Sequence, residues 1–190
     1  MMTPKVRNRS RTPEVAMSLV LVEILPDREV AEVLRTVESV ARAAAGEFIE
    51  AQVTGSKDRL FAIVEGSGTV ELRSALEAAG LKVDDVAAVR LVGADLAAIK
   101  ADRPASGYLV EWDLPAGLTM DAYLARKKEK SPLYAQVPET TFQRTYVRED
   151  MLKCLCFYDA PDEDAVRRAR DVVSAPIDRL HHLADVRSDA

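Results

Sequence analysis

Histidine is almost missing from this chain: His181 and His182, adjacent and near the end, are the only two. No Ser-His-Asp set appears, so ordinary general acid-base chemistry would have to lean on carboxylates. Cysteine is equally sparse. Cys154 and Cys156 are the only two, which excludes a disulfide framework. With one residue between them on a strand, their Cα atoms lie ~6.5 to 7 Å apart, at or beyond the reach of a bridge, so they read as reduced thiols. No apolar run approaches the ~20 residues of a membrane span, and the amino terminus lacks a hydrophobic secretory segment; a cytoplasmic protein with no membrane partner is expected. There is no phosphate-binding glycine loop or dinucleotide fingerprint, and Gly66-Ser67-Gly68 reads as a strand-to-helix turn. Nor is there an excess of positive charge. The formal net charge of -5 argues against a general nucleic-acid binder.

What is present is a soluble, core-forming composition, 48% apolar and 30% charged, over 190 residues. That length suits two small domains of roughly 85 residues, each marginal alone. The second half repeats the first. A gapless shift of 94 residues lays Phe48 on Phe142, Val53 on Val147, Arg59 on Lys153, Ala75 on Ala169 and Asp84 on Asp178. The first strand of each half joins at a shift of 88, with Glu23 on Glu111, so about six extra residues fall in the second copy's first helix or the loop after it.

Each half reads as βαββαβ, the ferredoxin-like order. In the first, a strand over 19–25 leads through Pro26-Asp27 into a helix with Val30, Val33, Leu34, Val37, Val40 and Ala41 at helical spacing. Strands over 48–53 and 60–64, a helix over 69–79 stopped by Gly80, and a strand over 86–92 follow. Residues 95–100 read as a helical connector, and 102–107 as a loop. The second half repeats the order with strands over 108–114, 141–147, 153–158 and 179–186 and helices over 119–129 and 162–173. Thr119 is a plausible N-cap, and the run Arg126, Lys127, Lys128, Lys130 reads as a solvated face. The domain reading is therefore a basic arm over 1–16, repeats over 17–94 and 108–190, and a linker over 95–107.

Helices cover only one face of such a sheet, yet the third strand of each half is apolar on both: Leu60, Ala62 and Val64 against Phe61 and Ile63, and Cys154, Cys156 and Tyr158 against Leu155 and Phe157. The free face needs a cover. The simplest is the other repeat, giving an α+β fold of two ferredoxin-like repeats packed as a single-chain version of the dimeric α+β barrel. Pairing between chains, as a homo-oligomer, is the alternative.

The second half resembles a bacterial domain family whose best-known member is a small nickel-binding protein. The resemblance lies in Tyr108-Leu109-Val110-Glu111, in Thr141-Phe142-Gln143-Arg144-Thr145-Tyr146-Val147, and above all in Cys156-Phe157-Tyr158-Asp159-Ala160-Pro161-Asp162-Glu163, with Ala175-Pro176-Ile177-Asp178-Arg179-Leu180 closing the domain. It spans about residues 108 to 183 and implies a ferredoxin-like fold, with nickel or another transition metal as a cofactor to consider. The family's usual ligand histidines fall on Arg144 and Ala169 here. An arginine cannot ligate a cation, so the resemblance implies the fold more strongly than nickel.

Three constellations stand out. Cys154 and Cys156 with His181 and His182 are the soft-ligand set for a metal; buried small thiols are the plainer reading, because the first half has Leu60 and Ala62 at the cysteine positions. Glu23 and Glu111 sit at equivalent positions inside apolar strands; brought to a shared interior, one would have a raised pKa and serve as a catalytic base, and otherwise each pairs with a cation or faces solvent. Phe142, Arg144 and Tyr146 share a face by period two and, with Tyr158, suggest a ligand pocket holding an anion, or else plain core. Arg59-Leu60-Phe61-Ala62-Ile63-Val64 distantly resembles the third-strand motif of RNA-recognition domains but has Leu60 and Ile63 where glycine and an aromatic belong, so no nucleic-acid partner is expected. The arm with Lys5, Arg7, Arg9 and Arg11 reads as a leader or as a contact for a protein partner. Function stands between a small-molecule or metal-binding protein on the nickel-binding family's fold, an enzyme without organic cofactor (an isomerase or oxygenase) using a carboxylate base, and a structural or regulatory interaction protein.

Overall fold

In the computed structural model, residues 18–66 and 68–184 are described. The basic arm, Ser67 and the end of the last expected strand lie outside the described residues. The first half contains β1 (Ser18–Ile24), α1 (Val30–Ala43), β2 (Glu47–Thr54), β3 (Leu60–Gly66), α2 (Thr69–Ala78) and β4 (Val83–Val92). After α3 (Leu96–Asp102) come β5 (Tyr108–Asp113), α4 (Met120–Lys130), a 3-10 turn (Ser131–Gln136), β6 (Thr141–Arg148), β7 (Lys153–Asp159), α5 (Glu163–Val172) and β8 (Arg179–Ala184). The 3-10 turn has no counterpart between α1 and β2. No helix among the described residues is long and apolar enough to cross a membrane.

The eight strands form one closed antiparallel barrel in the order β1-β3-β2-β8-β5-β7-β6-β4. Read outward from the seams, the order is β4-β1-β3-β2 in one half and β6-β7-β5-β8 in the other. The halves meet where Val53 and Thr54 pair with Ala184 and Leu183, and where Val89 to Val92 pair with Arg148 to Thr145. Closure leaves no sheet edge and covers the free face within one chain.

This architecture explains the two-sided apolar strands. Leu60, Ala62 and Val64 pack outward with Val33, Val37, Leu72 and Leu76 of α1 and α2. Cys154, Cys156 and Tyr158 face outward with Tyr123 of α4 and Val166 of α5. Leu21, Phe61, Ile63, Leu109, Tyr146, Leu155 and Phe157 fill the barrel itself, joined by Ile99 from α3. The helices are closed as their sequences suggest. Thr119 accepts a hydrogen bond from the Ala122 amide, and Asp162 accepts one from Ala165. Gly80 holds φ of 81° just past α2, where a side chain would be strained. The first helix starts at Val30 rather than at Pro26-Asp27, and β4 begins three residues earlier than its apolar pattern suggests.

Two irregularities matter for function. Pairing slips by one residue between Phe48 and Glu50 in β2, and between Phe142 and Arg144 in β6. These β-bulges occupy equivalent positions in the two halves. Each turns its phenylalanine outward toward the helices and its next paired residue, Glu50 or Arg144, into the barrel.

Candidate functional site

At one end of the barrel, Glu23 on β1 and Glu111 on β5 are both fully buried and reach the same cation. The Nζ of Lys153 lies 2.5 Å from Glu23 Oε1 and 2.7 Å from Glu111 Oε2. The outer oxygens are also engaged: Arg59 donates to Glu23 Oε2 at 2.8 Å, and His181 Nε2 and Arg179 Nε stand 2.8 and 3.1 Å from Glu111 Oε1. The two halves therefore do bring their equivalent glutamates together, but as acceptors in an ionic network. Burial alone would raise the Glu111 pKa; the hydrogen bonds from His181 and Lys153 and the charge of Lys153 outweigh it and hold the carboxyl well below its usual range. That is the reverse of the raised value expected for a general base.

In the barrel, Arg144 and Glu50 form a second buried ionic group. Arg144 donates to both Glu50 oxygens, Nε to Oε1 at 2.8 Å and Nη2 to Oε2 at 2.5 Å, and Tyr146 donates to Oε1 at 2.5 Å. The guanidinium also lies 4.7 Å from the centre of the Phe157 ring. Glu50 and Arg144 are 94 residues apart. That separation is the offset that lays the second half of the sequence on the first. Arg144 and Tyr146 do hold an anion, and it is the chain's own Glu50. Phe142 is not on that face. The bulge sends it outward, where it stacks on Tyr134 with ring centres 5.4 Å apart and meets Tyr158 edge-on at 5.6 Å. The four residues suggested as one ligand pocket are divided between the two sides of the sheet.

The soft-ligand set is divided too. Cys154 and Cys156 face the helices with their sulfurs 3.8 Å apart. His181 points the other way, into the barrel against Glu111 and Phe61, while His182 stands on the outer face beside Tyr108, with ring centres 5.4 Å apart. No group of three histidine, cysteine, aspartate or glutamate side chains among the described residues is placed to hold a metal. Cations crowd the thiols instead. Arg170 Nη1 is 3.4 Å from Cys156 Sγ, Thr145 donates to that sulfur at 3.2 Å, and Lys127 Nζ reaches Thr145 at 3.3 Å. A hydrogen bond from Cys154, with the charges of Arg170 and Lys127, pulls the Cys156 thiol down against the opposing effect of burial. A nickel ion fits none of this. The positions where the sequence resemblance implies ligand histidines are an ion-paired Arg144 and a buried Ala169, and the Cys156 sulfur already faces a guanidinium.

Beside these thiols, α4, the 3-10 turn and α5 enclose a cavity of about 40 Å³. Trp112, Tyr123, Tyr134 and Arg170 line it together with Arg126, Lys127 and Lys130. The basic run on α4 is therefore not a plain solvated face. Burial pushes the Tyr134 hydroxyl up to about 12, so it stays protonated at the cavity wall, 2.9 Å from the Tyr158 hydroxyl. Glu50, Lys153, Arg170 and Tyr134 were not singled out from the sequence. Opposite charges at positions 50 and 144, which the 94-residue offset superposes, were the one available signal.

The closed eight-stranded α+β barrel and the buried ionic groups define the class of protein. Residues 108–183 match the model of a family described as nickel responsive protein SCO4226-like. Comparison with curated proteins gives no match. Among solved structures, a protein provisionally described as chlorite dismutase TA0507 aligns with a TM-score of 0.52 at 13% identity, over 89% of this chain and 94% of that one. A provisionally described monooxygenase from Lactobacillus acidophilus NCFM aligns with a TM-score of 0.48 at 8% identity, over 88% and 93%. At such identity the first likeness shows the barrel fold alone.

Removing Arg144 leaves Glu50 buried and unpaired, so Arg144→Met is expected to cost about 3 to 5 kcal/mol, whereas Arg144→Met combined with Glu50→Leu recovers most of that loss. Denaturant midpoints measure both. The depressed Glu111 pKa predicts stability that is full above the usual carboxylate range and is lost as pH falls toward the folded-state value. Melting temperature measured against pH should show an acid limb that Glu111→Gln flattens.

Proposed function

We propose that this chain is a small-ligand-binding protein built on the fold of the nickel-responsive family, with its ligand site in the second half and without that family's histidine-based metal site. Two copies of one ferredoxin-like βαββαβ unit form its scaffold; the equivalent strand orders and the paired bulges support that reading. The observation that carries the functional reading is the cavity between α4 and α5, which lies inside the matched segment and adjoins the activated thiol of Cys156. The barrel interior offers less: large apolar side chains and self-satisfied ion pairs fill it. The carboxylate-base enzyme reading draws no support from Glu23 and Glu111, because cations occupy both. A metal as the bound species draws none from Cys154, Cys156, His181 and His182, for the geometric reasons above.

A thermal-shift screen of small metabolites tests the reading. At least one compound should raise the melting temperature of the native chain, by mass action on the folded state, and fail to do so for Lys127→Gln, which removes a cation from the cavity lining together with its hydrogen bond to Thr145 on β6. Compounds that stabilise both proteins equally would place the site elsewhere and contradict the proposal.

A further inference from the structure

Six charged side chains are buried among the described residues: Glu23, Glu50, Glu111, Arg144, Arg148 and Arg170. Five of them face an opposite charge. Glu23 and Glu111 share Lys153, Glu50 pairs with Arg144, and Arg148 pairs with Asp85 and Asp150. Arg170, only 2% exposed, has no carboxylate partner among them. Its guanidinium donates to Cys156 Sγ, to the Tyr158 hydroxyl at 3.3 Å and to the Pro176 carbonyl, and its Nε donates to nothing. A buried guanidinium with a free donor is costly, and a native structure normally supplies the missing acceptor.

The cavity that Arg170 lines is the place where an acceptor can enter. Arg126, Lys127 and Lys130 border it as well, Ser131 adds a hydroxyl, and no acidic side chain is among its lining residues. The basic residues on α4 complement the helix C-terminus, but that effect is small and leaves the Nε of Arg170 on α5 unsatisfied. We propose that this cavity binds a small oxyanion, such as phosphate or sulfate or the same group at the end of a larger molecule, through Arg170, Lys127 and Lys130. This rests on the ligand-site reading above and names the ligand's chemistry.

Trp112 is the only tryptophan in the chain, lines the cavity, and has the Arg170 guanidinium 5.7 Å from its ring centre. Its fluorescence therefore reports occupancy directly. Sodium phosphate, sodium sulfate and phenyl phosphate are titrated into the native chain at ionic strength held constant with chloride. The expected result is a saturable change for at least one of them. In K127Q/K130Q, with its melting temperature unchanged, binding should weaken roughly ten- to a hundredfold, as for loss of a charge-assisted hydrogen bond. These two positions are used because the buried Arg170 would test folding as well as binding. Tighter binding of phenyl phosphate marks the anion as the head of a larger ligand, and equal or tighter binding of phosphate marks a free oxyanion. No response to any of the three, or a response identical in K127Q/K130Q, overturns the proposal. If the anions fail while a screened compound still depends on Lys127, the oxyanion inference falls and the ligand site stands; if nothing depends on Lys127, both fall.

Discussion

The bidentate pair between Arg144 and Glu50 is the contact on which the rest of this structure depends. It joins β2 of the first half to β6 of the second, inside the barrel and away from water. Two identical side chains there would be two like charges in contact, which a low-dielectric interior penalises heavily. The halves differ at this point by one positive and one negative residue, and the conflict becomes an attraction. Tyr146 and Gln52 also donate to Glu50, and burial together with the nearby Glu50 charge keeps the Tyr146 phenol protonated as a donor.

Once position 144 is an arginine held in this way, the chemistry available to the second half changes. The Arg144 side chain is committed to an ion pair inside the barrel, and Lys153 bridges Glu23 and Glu111 in the same way at one end of it. In the layer between sheet and helices, Arg170 stands beside Cys156 with a donor to spare. The likeness to a nickel-responsive family covers residues 108–183, while this chain's own residues there carry the basic cavity on which the oxyanion proposal rests.

Much of the architecture was legible before any coordinates. The offset of 94 residues predicted equivalent halves, and strands apolar on both faces, such as Leu60 to Val64, required a cover on each side, which the closed barrel supplies. The sites were harder to read because their geometry turns on single-residue events. A one-residue bulge before Arg144 inverts the period-two rule, so Phe142 leaves the face that alternation assigns to it. Nothing in Gln143 announces that bulge. The six added residues after α4 carry Tyr134 onto Phe142 and Tyr158, a contact between segments that no local pattern encodes. The basic run on α4 looked solvated because helical periodicity alone does not reveal that α5 brings Arg170 up beside it. His181 and His182 were recognisable as opposed in direction, but the partner of His181 depended on which strand lay next to β8.

The most direct test of this account is equilibrium dialysis of the native, untagged chain against nickel in one chamber series and phosphate in another, with bound ligand counted per chain. The account predicts phosphate retained near one per chain and nickel at background. One nickel retained per chain, with phosphate at background, would contradict it.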